Sequence, residues 1–342
     1  MKSFILAGTS LIALAATTTA QAAGGPERPM FAVQPRLHPN VHAPLATTNW
    51  TFSYTYKGRT YNDVFIGTNP TGGASTTVPV YIIPINLKKS KKINTDPSTV
   101  LSNGKTVTQN TVASPIFQTG IDYVQGGTDI GNTQYIDAYQ RASLWGTVSS
   151  HTGYHVLLGA PTVEPEQTIK VGANGTIATD FGVKVLNANI NWFDGKIEPM
   201  LKKLKIPTNA LPIFLITQTY LTSGGCCIGG YHAYTGTQAY SVFSYIQKPG
   251  VFSQDVSALS HEVAEWLDDP TTNNNSPCGI YENGDPLENT ANYGDYPYPL
   301  GGFTYHLQDL ATPVYFGAPT TTTVHGWTTF QGTSLAVCQN GS

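Results

Sequence analysis

The chain has 342 residues and a net charge of −3, and charged side chains occupy only 11% of its positions, against about 25% in typical globular domains. The small net charge and the lack of recurring Lys/Arg clusters among aromatic residues exclude nucleic acid as an expected partner. The length allows one large domain or two modest ones with a well-buried core.

The N-terminus has the pattern of an export signal. Lys2 precedes an apolar run over residues 4–16, and small residues then lead to Ala22 in the A-x-A form of a signal-peptidase site. Residues 1–22 are therefore predicted to be a cleaved signal peptide of a secreted or periplasmic protein. No later stretch approaches the roughly 18 uninterrupted apolar residues of a membrane span, so no transmembrane anchor is expected.

The rest of the chain predicts an α+β domain. Residues 23–48 are rich in proline and predict an extended N-terminal arm or a propeptide, and residues 49–342 predict a single catalytic-type domain. Its strands and helices follow from apolar periodicity. Strands are predicted at 49–56, 78–85, 212–217 and 240–245, and helices at 133–148 and 188–204. We expect a twisted, mainly β sheet packed on an active-site helix, with a β-rich C-terminal part.

The active-site helix is predicted at SALSHEVAEWLDDP, residues 257–270. At about 100° per residue, His261, Glu265 and Asp268 fall on one stripe. Four apolar residues fall on the opposite arc: Leu259, Val263, Trp266 and Leu267. The pattern predicts one face buried on the sheet and one face turned to a cleft, with Asp255 as N-cap and a stop at Pro270.

His261 and Glu265 are four residues apart, so both can point at one metal ion, and Glu262 can hold a water as general base. The usual motif is H-E-x-x-H, whereas this chain has H-E-x-x-E, with a carboxylate in place of the second imidazole. Zn²⁺ accepts carboxylate oxygen. The competing interpretation is an ordinary amphipathic surface helix with His and Glu on its wet face.

A third ligand is expected from outside the helix. Glu282 follows Glu265 by 17 residues, close enough for the loop to fold back. Asp285 is predicted to hydrogen-bond His261, and Asp268 to support the site in the same way. Further candidates are His232, as a ligand or as a donor to an oxyanion, then Tyr231 for the oxyanion and His306 or His325 for the ion. The metal-site half of the domain spans about 206–342.

All four cysteines, Cys226, Cys227, Cys278 and Cys338, lie in the last third of the chain. In an exported protein they are candidates for disulfides, and three pairings exist. A direct bond between Cys226 and Cys227 would close a strained ring. Cys278 and Cys338 are therefore the expected partners of the adjacent pair.

The motif resembles that of a known enzyme class. A helix with H-E-x-x-(H/E) and a glutamate from a later segment resembles the zincin metallopeptidases of the glutamate-liganded class. HEVAEWLDDP (261–270), the asparagine-rich loop and ENGD (282–285) are also similar to secreted bacterial proteins and, more distantly, to plant phosphate-induced, Exordium-like proteins. The resemblance covers residues 210–340 and implies a zincin-like fold, ligands His261, Glu265 and Glu282, and the base Glu262.

The expected function is that of a secreted zinc-dependent hydrolase, a peptidase acting on protein or peptide substrates. Two alternatives stay open. The first is a non-catalytic cell-surface or matrix protein that binds glycan through its abundant Tyr and Trp. The second is a structural Ca²⁺ ion held by hard oxygen donors, namely Asp268, Asp269, Asn273, Asn274, Glu282 and Asp285.

Overall fold

The computed structural model describes residues 30–33, 44–277, 279–287, 291–318 and 327–330. The predicted signal peptide, Cys278, His325 and Cys338 lie outside these residues. Of the predicted arm, residues 30–33 form a strand that pairs in parallel with residues 228–232 of the central sheet.

The elements follow one another in a mixed order of strands and helices. The α-helices are α1 Val107–Val112, α2 Tyr135–Ser143, α3 Trp145–Val148, α4 Ile190–Asp194, α5 Ile197–Leu204 and α6 Ser257–Asp268. The strands are β1 Met30–Val33, β2 Asn49–Tyr56, β3 Arg59–Ile66, β4 Thr76–Val78, β5 Val80–Lys88, β6 Ile121–Gln125, β7 Thr128–Thr133, β8 Val156–Leu158, β9 Thr162–Val163, β10 Gln167–Lys170, β11 Gly175–Asp180, β12 Val183–Asn189, β13 Leu211–Thr217, β14 Thr219–Thr222, β15 Ile228–Tyr234, β16 Ala239–Tyr245, β17 Asn275–Ser276, β18 Gly279–Ile280, β19 Asp295–Leu300, β20 Phe303–Gln308, β21 Ala311–Pro313 and β22 Trp327–Thr329. Within the described ranges, no helix is long and apolar enough to cross a membrane.

A ten-stranded mixed sheet organises the fold, in the order β10-β5-β13-β16-β15-β14-β12-β11, with β1 on β15 and β9 on β5. The strands β10, β5, β13 and β16 run parallel to one another, whereas β15 is antiparallel to both β16 and β14. The predicted α+β class with a large sheet is confirmed.

The sheet separates two apolar cores because side chains alternate across a strand. In β13, Ile213 and Leu215 enter the core that contains α2 and α6. Their neighbours Phe214 and Ile216 enter the opposite core, where α4 and α5 pack. Apolar runs such as β13 are buried on both faces, as expected of central strands.

Helix α6 is more enclosed than its sequence predicted. All twelve of its residues are buried, including the polar stripe of His261, Glu265 and Asp268. The helix lies against β15 and β16 and is covered by α2, β3 and β20. The surface-helix interpretation is therefore wrong, because β20 and residues 281–287 close over the side that a lone helix would leave in water.

The helix ends as predicted at Asp268, shortly before Pro270, but it begins differently. Its N-cap is Val256, with no side-chain cap. Asp255 instead accepts hydrogen bonds from the His306 backbone (2.9 Å) and pairs with the His306 ring (2.5 Å). The start of α6 is therefore anchored to β20 rather than capped locally.

The cysteine prediction was wrong for the adjacent pair. Cys226 and Cys227 are bonded to each other, and the peptide bond between them is cis. The prediction rejected this bond because two adjacent cysteines close a strained ring. No partner outside the pair is needed.

Candidate metal centre

Alternation on β15 places one histidine against α6. Tyr231 and Ala233 belong to the core on the α4/α5 side of the sheet. His232, between them, points to the other side and is fully buried beside Glu262 and Glu265. The strand thus brings a histidine to the polar stripe of the helix.

Tyr231 does not belong to this group. Its hydroxyl donates to Asp194 Oδ1 (2.9 Å) on the opposite side of the sheet, where Tyr240 also bonds the same carboxylate. The suggestion that Tyr231 supports an oxyanion at this site is therefore wrong, because strand alternation turns it away from His232.

Residues 281–287 bring two more carboxylates to the helix. The Asn283 side chain donates to Ala264 O (3.2 Å), and Gly284 N donates to Glu265 Oε1 (3.1 Å). A Cβ at Gly284 would lie 2.2 Å from His261 Nδ1. The absence of a side chain at Gly284 therefore allows the backbone to approach the His261 ring closely.

Gly284→Ala is expected to destabilise the protein by about 1–3 kcal/mol, the usual cost of overpacking a core, and to weaken metal binding by displacing His261. Gly72→Ala is the matched control, because a Cβ there meets nothing within 4 Å. Urea unfolding and a zinc titration would measure both effects. Equal behaviour of the two variants would contradict the close packing of Gly284 on His261.

Hydrogen bonding fixes the tautomer of His261. Gln308 Nε2 donates to two backbone carbonyls, Gly284 O (3.2 Å) and Tyr293 O (3.1 Å), so its Oε1 is the atom that faces His261 Nδ1. An amide oxygen only accepts, so Nδ1 carries the proton. Nε2 then points at Glu265 Oε1 (3.0 Å) and Asp285 Oδ1 (3.5 Å).

His232 carries its proton on the other ring nitrogen, Nε2. Its Nε2 lies 3.2 Å from the backbone carbonyl of Asp269, which can only accept, so Nε2 carries the proton. Nδ1 faces Glu262 Oε2 (3.2 Å) and Glu265 Oε2 (3.7 Å). Both rings therefore present one nitrogen to carboxylate oxygens and use the other to fix their orientation, as metal-binding histidines do.

The pKa values reflect this crowding of charge. Burial opposes a charged His261, but Glu265, Glu262 and Asp285 outweigh it and raise the His261 pKa to about 10. Burial lowers the His232 pKa to about 4 despite the attraction of Glu265. Burial would raise the pKa of Glu265, yet His261 holds it down at about 2. Burial and the nearby Glu265 raise the Glu282 pKa well above its usual value.

Two groups of candidate ligands share Glu265. The first is His261, Glu265 and Asp285, and the second is His232, Glu265 and Glu282; within each group the ligand atoms lie within 4.8 Å of one another. The sequence placed Glu282 with His261 and gave Asp285 a supporting role. In the structure Asp285 stands with His261, and Glu282 stands with His232.

Glu262 packs directly against strand β15. It is fully buried, and a Cβ at Gly230 on β15 would lie 2.8 Å from its Oε1. Gly230 thus leaves the space that the Glu262 side chain occupies. Neither Gly230 nor Gln308 was singled out from the sequence, since nothing in their local spacing connects them to α6.

The remaining acidic residues have other surroundings. Asp268 lies near Tyr139, Tyr281 and Asn283, whose hydrogen bonds oppose the rise in pKa that burial causes. Asp269 Oδ1 accepts from the backbone of Asn273 (2.8 Å) and Asn274 (3.0 Å). Neither aspartate joins the two ligand groups.

The chain was compared with known families, proteins and structures. No family model, curated protein or solved structure matches the chain.

Proposed function

We propose that the protein is an exported metal-dependent hydrolase, with Zn²⁺ as the ion and peptide bonds as the substrate class. The observation that carries the proposal is the convergence on His261 Nε2 of Glu265 Oε1 (3.0 Å) and Asp285 Oδ1 (3.5 Å). Three protein ligands and an open position are the pattern of catalytic zinc.

The donor set favours zinc over calcium. Imidazole nitrogen with carboxylate oxygen suits Zn²⁺, whereas Ca²⁺ takes oxygen donors. Of the residues that a calcium site would use, Asn274 Oδ1 already accepts from Val64 N (2.9 Å), and its amide donates to Val64 O (2.8 Å). These bonds tie the loop to β3.

A bound zinc ion would polarise a substrate carbonyl and make a water easier to deprotonate. The chain's own groups supply the remaining steps. Glu262, whose charge acts on His261, would accept the proton of that water and pass it to the leaving amine. Gln308 would keep His261 Nδ1 protonated, so that Nε2 stays available as a ligand.

The open side of the site is at Asp285. Its side chain is 21% exposed, whereas those of His261 and Glu265 are 0% and 2% exposed. A substrate would therefore approach from residues 281–287. The combination of two helix ligands one turn apart, a base next to the first ligand and a sheet packed on the helix supports a zincin-like relationship as part of the proposal.

The test is hydrolysis by the purified mature protein. We expect cleavage of unfolded protein or peptide substrates that stops when a chelator removes the metal and returns when Zn²⁺ is added. Asp285→Asn should lower the rate, since it replaces an open-side ligand, whereas Asp122→Asn on the β6–β7 hairpin is the control. Loss of zinc with no change in cleavage would refute the proposal.

A further inference from the structure

We infer that the centre holds two divalent cations, with Glu265 as a bridging carboxylate and a second, enclosed position formed by His232, Glu265 and Glu282. This inference goes beyond the proposed function and does not depend on it. It rests on three observations: the division of the Glu265 oxygens, the orientation of His232 and the surroundings of Glu282.

The two oxygens of Glu265 face different histidines. Oε1 lies 3.0 Å from His261 Nε2, and Oε2 lies 3.7 Å from His232 Nδ1. A carboxylate that binds a single metal ion directs one or both of its oxygens toward that ion and the histidine beside it. Division between two imidazole nitrogens is the arrangement of a carboxylate that bridges two metal ions.

His232 presents a lone pair to two carboxylates. Because its Nε2 proton is directed at the Asp269 carbonyl, a neutral ring has no proton on Nδ1. That nitrogen nevertheless lies 3.2 Å from Glu262 Oε2 and 3.7 Å from Glu265 Oε2. Three acceptor atoms facing one another repel unless a proton or a metal ion lies between them, and we assign a metal ion bound to Nδ1.

Glu282 is the third ligand of this position. Its side chain is buried at 2% exposure. No N–H group of the described residues donates to its oxygens, and its carboxyl group lies against the carboxylate of Glu265. An ionised carboxylate in such surroundings costs several kcal/mol unless a cation compensates it. Its ligand atom lies within 4.8 Å of those of His232 and Glu265.

The charge of the cluster agrees with two ions. Glu262, Glu265, Glu282 and Asp285 carry four negative charges when ionised, and two neutral imidazoles carry none. One divalent ion would leave a net charge of minus two in a region where three of the four carboxylates are buried. Two divalent ions would balance the charge.

The two positions differ in access. The Asp285 position reaches solvent through a side chain with 21% exposure, whereas the residues of the second position are buried. The first therefore suits exchange with substrate, and the second suits a permanently held ion that orients Glu265 and Glu262.

The test is the metal content of the full mature chain after loading with Zn²⁺ and removal of excess metal. We expect two zinc ions per chain in the wild type, one in Glu282→Gln, one in Asp285→Asn and none in Glu265→Gln. Circular dichroism would establish that each variant is folded. An unchanged zinc content in Glu282→Gln would overturn the inference. A shared proton would then compensate the carboxylates around His232.

A measurement on the unmutated protein guards against variants that fail to fold. Loaded with Mn²⁺, the wild type should give an electron paramagnetic resonance spectrum of two coupled ions. An uncoupled spectrum with one ion per chain would overturn the inference. Two ions without any hydrolysis would uphold it and refute the proposed function, whereas one ion with chelator-sensitive hydrolysis would do the reverse.

Discussion

Glu262→Gln is expected to lower kcat by about 100- to 10,000-fold, the range of a lost general base, while the protein keeps its metal and its fold. Glutamine has the shape of glutamate, so it fills the space beside Gly230 without a clash. Its amide cannot accept the proton of an attacking water. The measurement is the rate of peptide cleavage at saturating substrate, together with zinc content and thermal melting of the same preparation.

The matched control is Glu198→Gln, which makes the same chemical change on helix α5 at an exposed carboxylate paired with Lys202. It should leave kcat unchanged. If Glu262→Gln retained full activity with zinc bound, the carboxylate would be a structural partner of His232, and the base would have to be sought elsewhere. Loss of zinc together with activity would instead assign Glu262 to metal binding.

We expect the metal-free protein to have a free energy of unfolding about 4 kcal/mol lower than the protein in the presence of free zinc at about 1,000 times its dissociation constant. For a mature chain of about 320 residues this corresponds to a fall of roughly 6 °C in melting temperature. The reason is that the carboxylates around His261 and His232 lose their compensating charge. Differential scanning calorimetry with and without chelator would measure the difference, and re-addition of Zn²⁺ should restore the melting temperature.

The size of this difference should depend on pH. In the metal-free protein the His261 pKa is raised from 6.5 to about 10. The stability that its charge contributes is complete below pH 6.5 and is lost as pH rises through 10. In the metal-loaded protein a metal ion takes the place of that proton. The difference in free energy of unfolding between the loaded and the metal-free protein should therefore increase from pH 6.5 to pH 9. A decrease of this difference over the same pH range would contradict the assignment of His261 as a metal ligand.

Local sequence patterns predicted the elements that build the sheet. The alternation in Asn49–Tyr56, the apolar run of Leu211–Thr217 and the spacing in Ser257–Asp268 correspond to a strand, a central strand and the helix. They succeeded because periods of 2 and 3.6 residues follow directly from backbone geometry. The break at Pro270 is equally local.

The enclosure of the site was not predictable in the same way. His261 and Gln308 are 47 residues apart, and only the return of β20 across α6 brings them together. The division of Glu282 and Asp285 between two histidines depends on the path of a seven-residue segment, 281–287, which spacing alone does not specify.

Complete burial of His232 would affect how a metal ion reaches the proposed second position. An ion held there would be trapped as β15 and residues 281–287 close around it, and later exchange would require the chain to open locally. The choice among competing metals would then be made while the chain folds, by the ions of the compartment in which folding takes place. Selectivity would be a matter of kinetics at assembly rather than of equilibrium affinity in the finished protein.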